Sequence, residues 1–159
     1  MGYKYGIWLV YDKHEFSTAH IGHITITCYM EKDEATCLYH ELVDIFGKYH
    51  EVYIECTHPV KFVTNFYDDD NNDLYAWGYE GHILENGLMT NLWSNIEDVT
   101  KKYKCNFACV PHTSIFYSHA KYALLLEKMP ENKIVKCSME LVDITSDDPL
   151  EWNIMDISC

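Results

Sequence analysis

Apolar and polar positions alternate with a period of two over much of the chain, and in a few places the period lengthens to that of a helix. Residues 3–12 (YKYGIWLVYD) are rich in aromatic and β-branched side chains and predict a first strand, followed by a polar turn at 13–17. Residues 22–30 (GHITITCYM) alternate most cleanly: His23, Thr25 and Thr27 fall on one face, Ile24, Ile26 and Cys28 on the other. Further strands are predicted at 50–56 and 61–67, divided by Pro59, and at 74–79, 107–118, 134–145 and 151–157. The helical period runs over 32–48, where Ala35, Leu38, Leu42, Ile45 and Phe46 form a stripe and Gly47 offers a stop. It returns over 87–103, through Leu88, Leu92, Ile96, Val99 and Tyr103, and more briefly over 120–128.

Strands dominate this order, and several are joined by short turns. That predicts an α+β fold with antiparallel sheets and flanking helices, not a doubly wound parallel sheet. The 159 residues suit one domain spanning 1–159, or two small lobes sharing a core. No apolar run approaches the roughly 20 residues needed to span a bilayer. The apolar start of the chain lacks a basic flank and a small-residue cleavage site, so it reads as a strand and not as a signal peptide.

Charge narrows the partners. A net charge of −13 with 12 basic residues argues against gripping long DNA or RNA, which needs many Lys and Arg contacts to phosphates. A small anion in a local pocket is still compatible, because a local field can oppose the global sign. Seven cysteines, odd in number and without repeated spacing, read as free thiols in a reducing cytoplasm. The acidic run at 68–73 (DDDNND) lacks the spacing of a calcium loop, since position 12 from Asp68 is Tyr79, and reads as a solvated turn.

Two short motifs carry the candidate chemistry. Residues two apart on a strand point the same way, so His23 shares a face with Thr25, and His112 with Ser114. Each motif sets an imidazole beside a hydroxyl, and each is followed by an isoleucine. His20 and His119 flank the motifs and read as exposed residues or as residues that shape the pocket.

The pair resembles the hallmark of the 2H phosphoesterase superfamily, also called LigT-like: two His-hydrophobic-Thr/Ser-hydrophobic segments. Here they read HITI (His23, Ile24, Thr25, Ile26) and HTSI (His112, Thr113, Ser114, Ile115), the second departing from the pattern at Thr113. The resemblance implies a two-lobed arrangement of antiparallel sheets with a central cleft holding a phosphate. It implies a metal-independent phosphodiesterase without cofactor, in which one histidine is general base and the other general acid, while Thr25 and Ser114 donate to the non-bridging oxygens.

In layout the chain looks most like the small viral anti-CBASS enzymes that cleave cyclic nucleotide immune signals such as cGAMP, which would act in a host cytoplasm. That likeness points to Glu140, 28 residues after His112, and to Trp77 and Tyr5 as nucleotide-binding residues. The same three also read as ordinary strand and packing positions. Other readings are a 2′,5′-oligoadenylate or RNA 2′,3′-cyclic phosphodiesterase, a protein that sequesters a nucleotide without cleaving it, and an interaction protein with no ligand.

Overall fold

The alternation becomes nine antiparallel strands in a computed structural model that describes residues 3–67, 73–118 and 131–156. They are β1 (Lys4–Tyr11), β2 (Gly22–Met30), β3 (Tyr49–Tyr67), β4 (Asp73–Glu85), β5 (Leu88–Met89), β6 (Asn106–Phe107), β7 (His112–Ser118), β8 (Lys133–Ile144) and β9 (Asn153–Ile154). Among the described residues, two helices join them, α1 (Lys32–Phe46) and α2 (Leu92–Thr100). The strands pair in the order β1-β2-β7-β4-β3-β8, and β8 returns to β1, closing a six-stranded barrel. The short β5, β6 and β9 are appended to β4, β2 and β8. The α+β class is thus present, with all nine strands in one sheet and six of them in a closed hydrogen-bonded circuit.

Registered pairs sort the side chains onto two faces. Leu9 lies opposite both Ile24 and Met139, and Val52 opposite both Ile83 and Val135, all buried in one apolar cluster. The buried stripe of α1, Ala35, Leu38, Tyr39 and Leu42, joins this cluster. Burying each such side chain contributes on the order of 1.5–3 kcal/mol. The other face carries Trp8, paired with Thr25 on one side and Glu140 on the other, and Val10, paired with His23.

Several boundaries differ from the sequence expectation. Helix α1 stops at Phe46, and Ile45 is exposed despite its place on the predicted stripe. The second helix was expected from Gly87, but Asn86 and Gly87 both take left-handed φ (54° and 79°) and turn β4 into β5. Only then does α2 begin, at Leu92. The strands predicted on either side of Pro59 are one element, irregular between Glu55 and Val60. Residues 107–118 split into β6 and β7, and the last strand shrinks to Asn153–Ile154 after a 3-10 turn at Pro149–Glu151. The helix predicted at 120–128 and most of the acidic turn lie outside the described residues.

Candidate active site

The two motifs sit on neighbouring strands. β2 pairs β7 antiparallel with Ile24 opposite Thr113. Stepping one residue along each strand sets His23 opposite Ser114 and Thr25 opposite His112. All four side chains line one cavity of about 260 Å³. The chain therefore brings together the four residues that the motifs single out, across 89 positions of sequence (112 − 23).

Both imidazoles are held alike. His23 Nδ1 lies 2.6 Å from the Ile21 carbonyl oxygen, and His112 Nδ1 lies 2.9 Å from that of Val110. A carbonyl only accepts, so each Nδ1 carries the proton and each Nε2 keeps a lone pair. Each ring also stacks on an aromatic. Trp8 lies parallel to His23 with centroids 3.6 Å apart, and Phe62 covers His112 at 3.7 Å.

Their electrostatic settings differ. Burial, helped by neighbouring His20 and His112, pushes the His23 imidazole down to about 3. His112 is also lowered by burial, but its hydrogen bond to the Val110 carbonyl and, after it, the carboxylate of Glu80, directly opposite on β4, oppose that shift. At neutral pH the resting site therefore holds two uncharged imidazoles. No carboxylate and no ammonium lines the cavity among the described residues, although the chain carries a net charge of −13.

The departure of the second motif at Thr113 has a structural reason. Its side chain is fully buried, and Oγ1 donates to the His23 carbonyl at 2.8 Å. The single hydroxyl hydrogen is thereby used, so the Tyr11 phenol is the donor in the bond it makes to the same oxygen. An apolar residue would leave that buried phenol unpartnered. Of the two readings of His20, the exposed one is overturned: it is buried, its carbonyl accepting from the Thr18 hydroxyl at 2.8 Å and its ring set edge-on to His23. His119 lies outside the described residues.

The three predicted nucleotide-binding residues do not line the cavity. Trp77 is buried in the apolar cluster on the opposite face, because Ala76 and Gly78 are the β4 positions that face the site. Tyr5 packs on that same cluster, two residues from Ile7. Glu140 shares the face of Trp8 but is engaged by Lys48, whose Nζ lies 3.1 Å from its carboxylate. The cavity aromatics are Tyr3, Trp8, Phe62, Phe107, Tyr117 and Trp152. Trp8 was within reach of sequence reasoning, since it alternates with the apolar Ile7 and Leu9. Phe62 was not, since its position depends on two strand pairings.

Among the described residues, no group of three His, Cys, Asp or Glu side chains is placed to hold a metal ion, and no helix is long and apolar enough to cross a membrane. Cys28, Cys37, Cys56, Cys105, Cys109 and Cys137 are free thiols. No family model, curated protein or solved structure matches the chain.

Proposed function

We propose that this chain is a metal-independent phosphodiesterase that cleaves a small cyclic di- or oligonucleotide by two-histidine acid/base catalysis. The observation that carries the reading is the meeting of His23, Thr25, His112 and Ser114 on one cavity wall, with both Nε2 lone pairs set by matching Nδ1 hydrogen bonds. The closed sheet then works as two lobes, β1, β2 and β8 on one side and β3, β4 and β7 on the other, with the cavity as their cleft.

His23 is the base. Its burial keeps it unprotonated, so Nε2 takes the proton of the attacking oxygen, from water or a neighbouring ribose hydroxyl. His112 is the acid: Glu80 and the bound phosphate anion favour its imidazolium, which gives its Nε2 proton to the leaving ribose oxygen as the P–O bond breaks. Thr25 and Ser114 donate to the non-bridging oxygens. Neutral donors without Lys or Arg suit the single charge of a phosphodiester better than the double charge of a monoester. A cavity of about 260 Å³ lies just under the usual range of ligand sites and takes a phosphate with part of one nucleoside.

The test is a product assay on a panel of cyclic di- and trinucleotides, 2′,5′-linked oligoadenylate and RNA 2′,3′-cyclic ends, with EDTA present. Turnover of a cyclic substrate is expected, with a loss of about 10²–10⁴-fold in kcat for His23→Ala or His112→Ala. Tight binding without product would favour sequestration. Unchanged turnover in either variant, or loss in EDTA restored by zinc, overturns the mechanism.

A further inference from the structure

Two residues that neither motif contains crowd the serine of the second motif. Strict alternation would put Phe116 on the Ser114 face and turn Tyr117 to the apolar cluster. On β4, however, Gly78 pairs Ser114 while the adjacent Trp77 pairs Phe116, so Ile115 is an extra residue on β7. That bulge reverses the parity beyond it and swings Tyr117 into the cavity. There the phenol shares the cavity with the Ser114 side chain, three residues back on the same strand, and burial raises the phenol's pKa, so it stays protonated at any working pH.

From the other side, the His20 ring is buried against the same strand. Its Nε2 has no partner, which leaves Nδ1–H as the ring's donor toward the Ser114 main chain. The ring touches Tyr117 and His23, with centroids 5.6 Å away in each case. His20 thus spans both motifs on the cavity face, as the Thr113 hydroxyl does on the opposite face.

We propose that Tyr117 and His20 are positioning residues that aim the Ser114 hydroxyl at the phosphate. Tyr117 donates to Ser114 Oγ, which frees the serine's single hydrogen for a non-bridging oxygen and polarises that donor. His20 fixes the serine's main chain. Neither residue exchanges a proton with substrate, and the proposal rests on the phosphodiesterase reading.

A double-mutant cycle tests it. Tyr117→Phe keeps the ring in the bulge and should lower kcat about tenfold, one hydrogen bond's worth, with KM nearly unchanged. In a Ser114→Ala background the same change should cost nothing further, because Tyr117 acts only through the serine. His20→Asn, whose amide reproduces the Nδ1 donor, should keep kcat, while His20→Leu should lose it. If His20→Leu does not fold, His20→Gln, whose amide reaches only the Nε2 position, takes its place.

An undiminished Tyr117→Phe rate, or an equal loss with and without Ser114, overturns the proposal. The same cycle read as affinity for inorganic phosphate, followed by the Ser114 amide resonance, separates the two readings. Phosphate binding that depends on Tyr117 only when Ser114 is present, in a protein that turns over no phosphodiester, would keep the positioning and reject the reaction. Phosphate binding that ignores all four substitutions would reject the positioning.

Discussion

His23 and His112 occupy equivalent places on paired strands, yet their partners make them unequal. His23 faces Val10 across the sheet, whereas His112 faces Glu80. If His23 is the base and His112 the acid, as proposed, the first is unprotonated down to about pH 3 and the second is lowered below its ordinary 6.5, so kcat/KM should peak on the acid side and fall as pH rises through a limb below 6.5. Glu80→Gln removes the carboxylate that favours the imidazolium, so the limb should move to still lower pH. A profile flat to pH 9, or unmoved by that change, would contradict the assignment of His112 as acid. The burial of His23 also sets a stability dependence. A histidine whose pKa is depressed in the folded state binds fewer protons there than when unfolded. Its contribution is complete above 6.5 and is lost as pH falls from 6.5 toward 3, by up to about 1.4 kcal/mol per pH unit. The urea midpoint of His23→Gln should therefore drop less between pH 7 and pH 5 than that of the parent. Equal drops would mean that His23 is not held neutral.

Between residue and fold lies the parity of the strands, and parity decides what the sequence reveals. The His–Thr and His–Ser pairs were legible because two-residue spacing survives in β2 and in the first turn of β7. Trp77 was misplaced because its face depends on where β4 lies against β7, and Tyr117 was missed because the Ile115 bulge reverses parity within a single strand. The second helix was predicted too long because Leu88 fits a helical stripe as well as a hairpin, while Asn86-Gly87 is itself a hairpin signal. Two glycines separate the two ways an element can depend on lacking a side chain. Gly87 has open space around it but a left-handed φ of 79°, so Gly87→Ala should cost about 1 kcal/mol and leave activity intact. Gly78 lies where β4 crosses the seam, and a Cβ there would sit 1.7 Å from the Thr113 carbonyl oxygen. Gly78→Ala must push β7 away, beside Ser114. Its denaturation midpoint should fall well below that of Gly87→Ala, and its kcat should fall with it. Similar midpoints and full activity in both would show that the β4–β7 approach has slack.

At the scale of the whole molecule, the closing of the sheet is what no local pattern could announce. The pairing of β2 with β7 joins residues 89 positions apart, and that of β1 with β8 closes the circuit. Once closed, the fold confines its candidate chemistry to a cavity free of carboxylates among the described residues, inside a chain of net charge −13. The two facts pull an anionic ligand in opposite directions. Under the proposed function, hydroxyls and imidazoles within the cavity would accept a phosphodiester, while at a distance the acidic surface would repel it. Long-range repulsion is screened by salt, whereas short hydrogen bonds in a buried site are screened much less. Raising ionic strength from 20 to 200 mM shortens the screening length from about 20 Å to about 7 Å. Because a cyclic dinucleotide carries two negative charges, its kcat/KM should rise several-fold over that range, with kcat almost constant. Most enzymes of anionic substrates steer them inward and slow with salt, so the sign alone is informative. A rate that falls with salt would mean that the field around the cavity is positive despite the total, and that cationic side chains near its mouth take part in capturing the substrate.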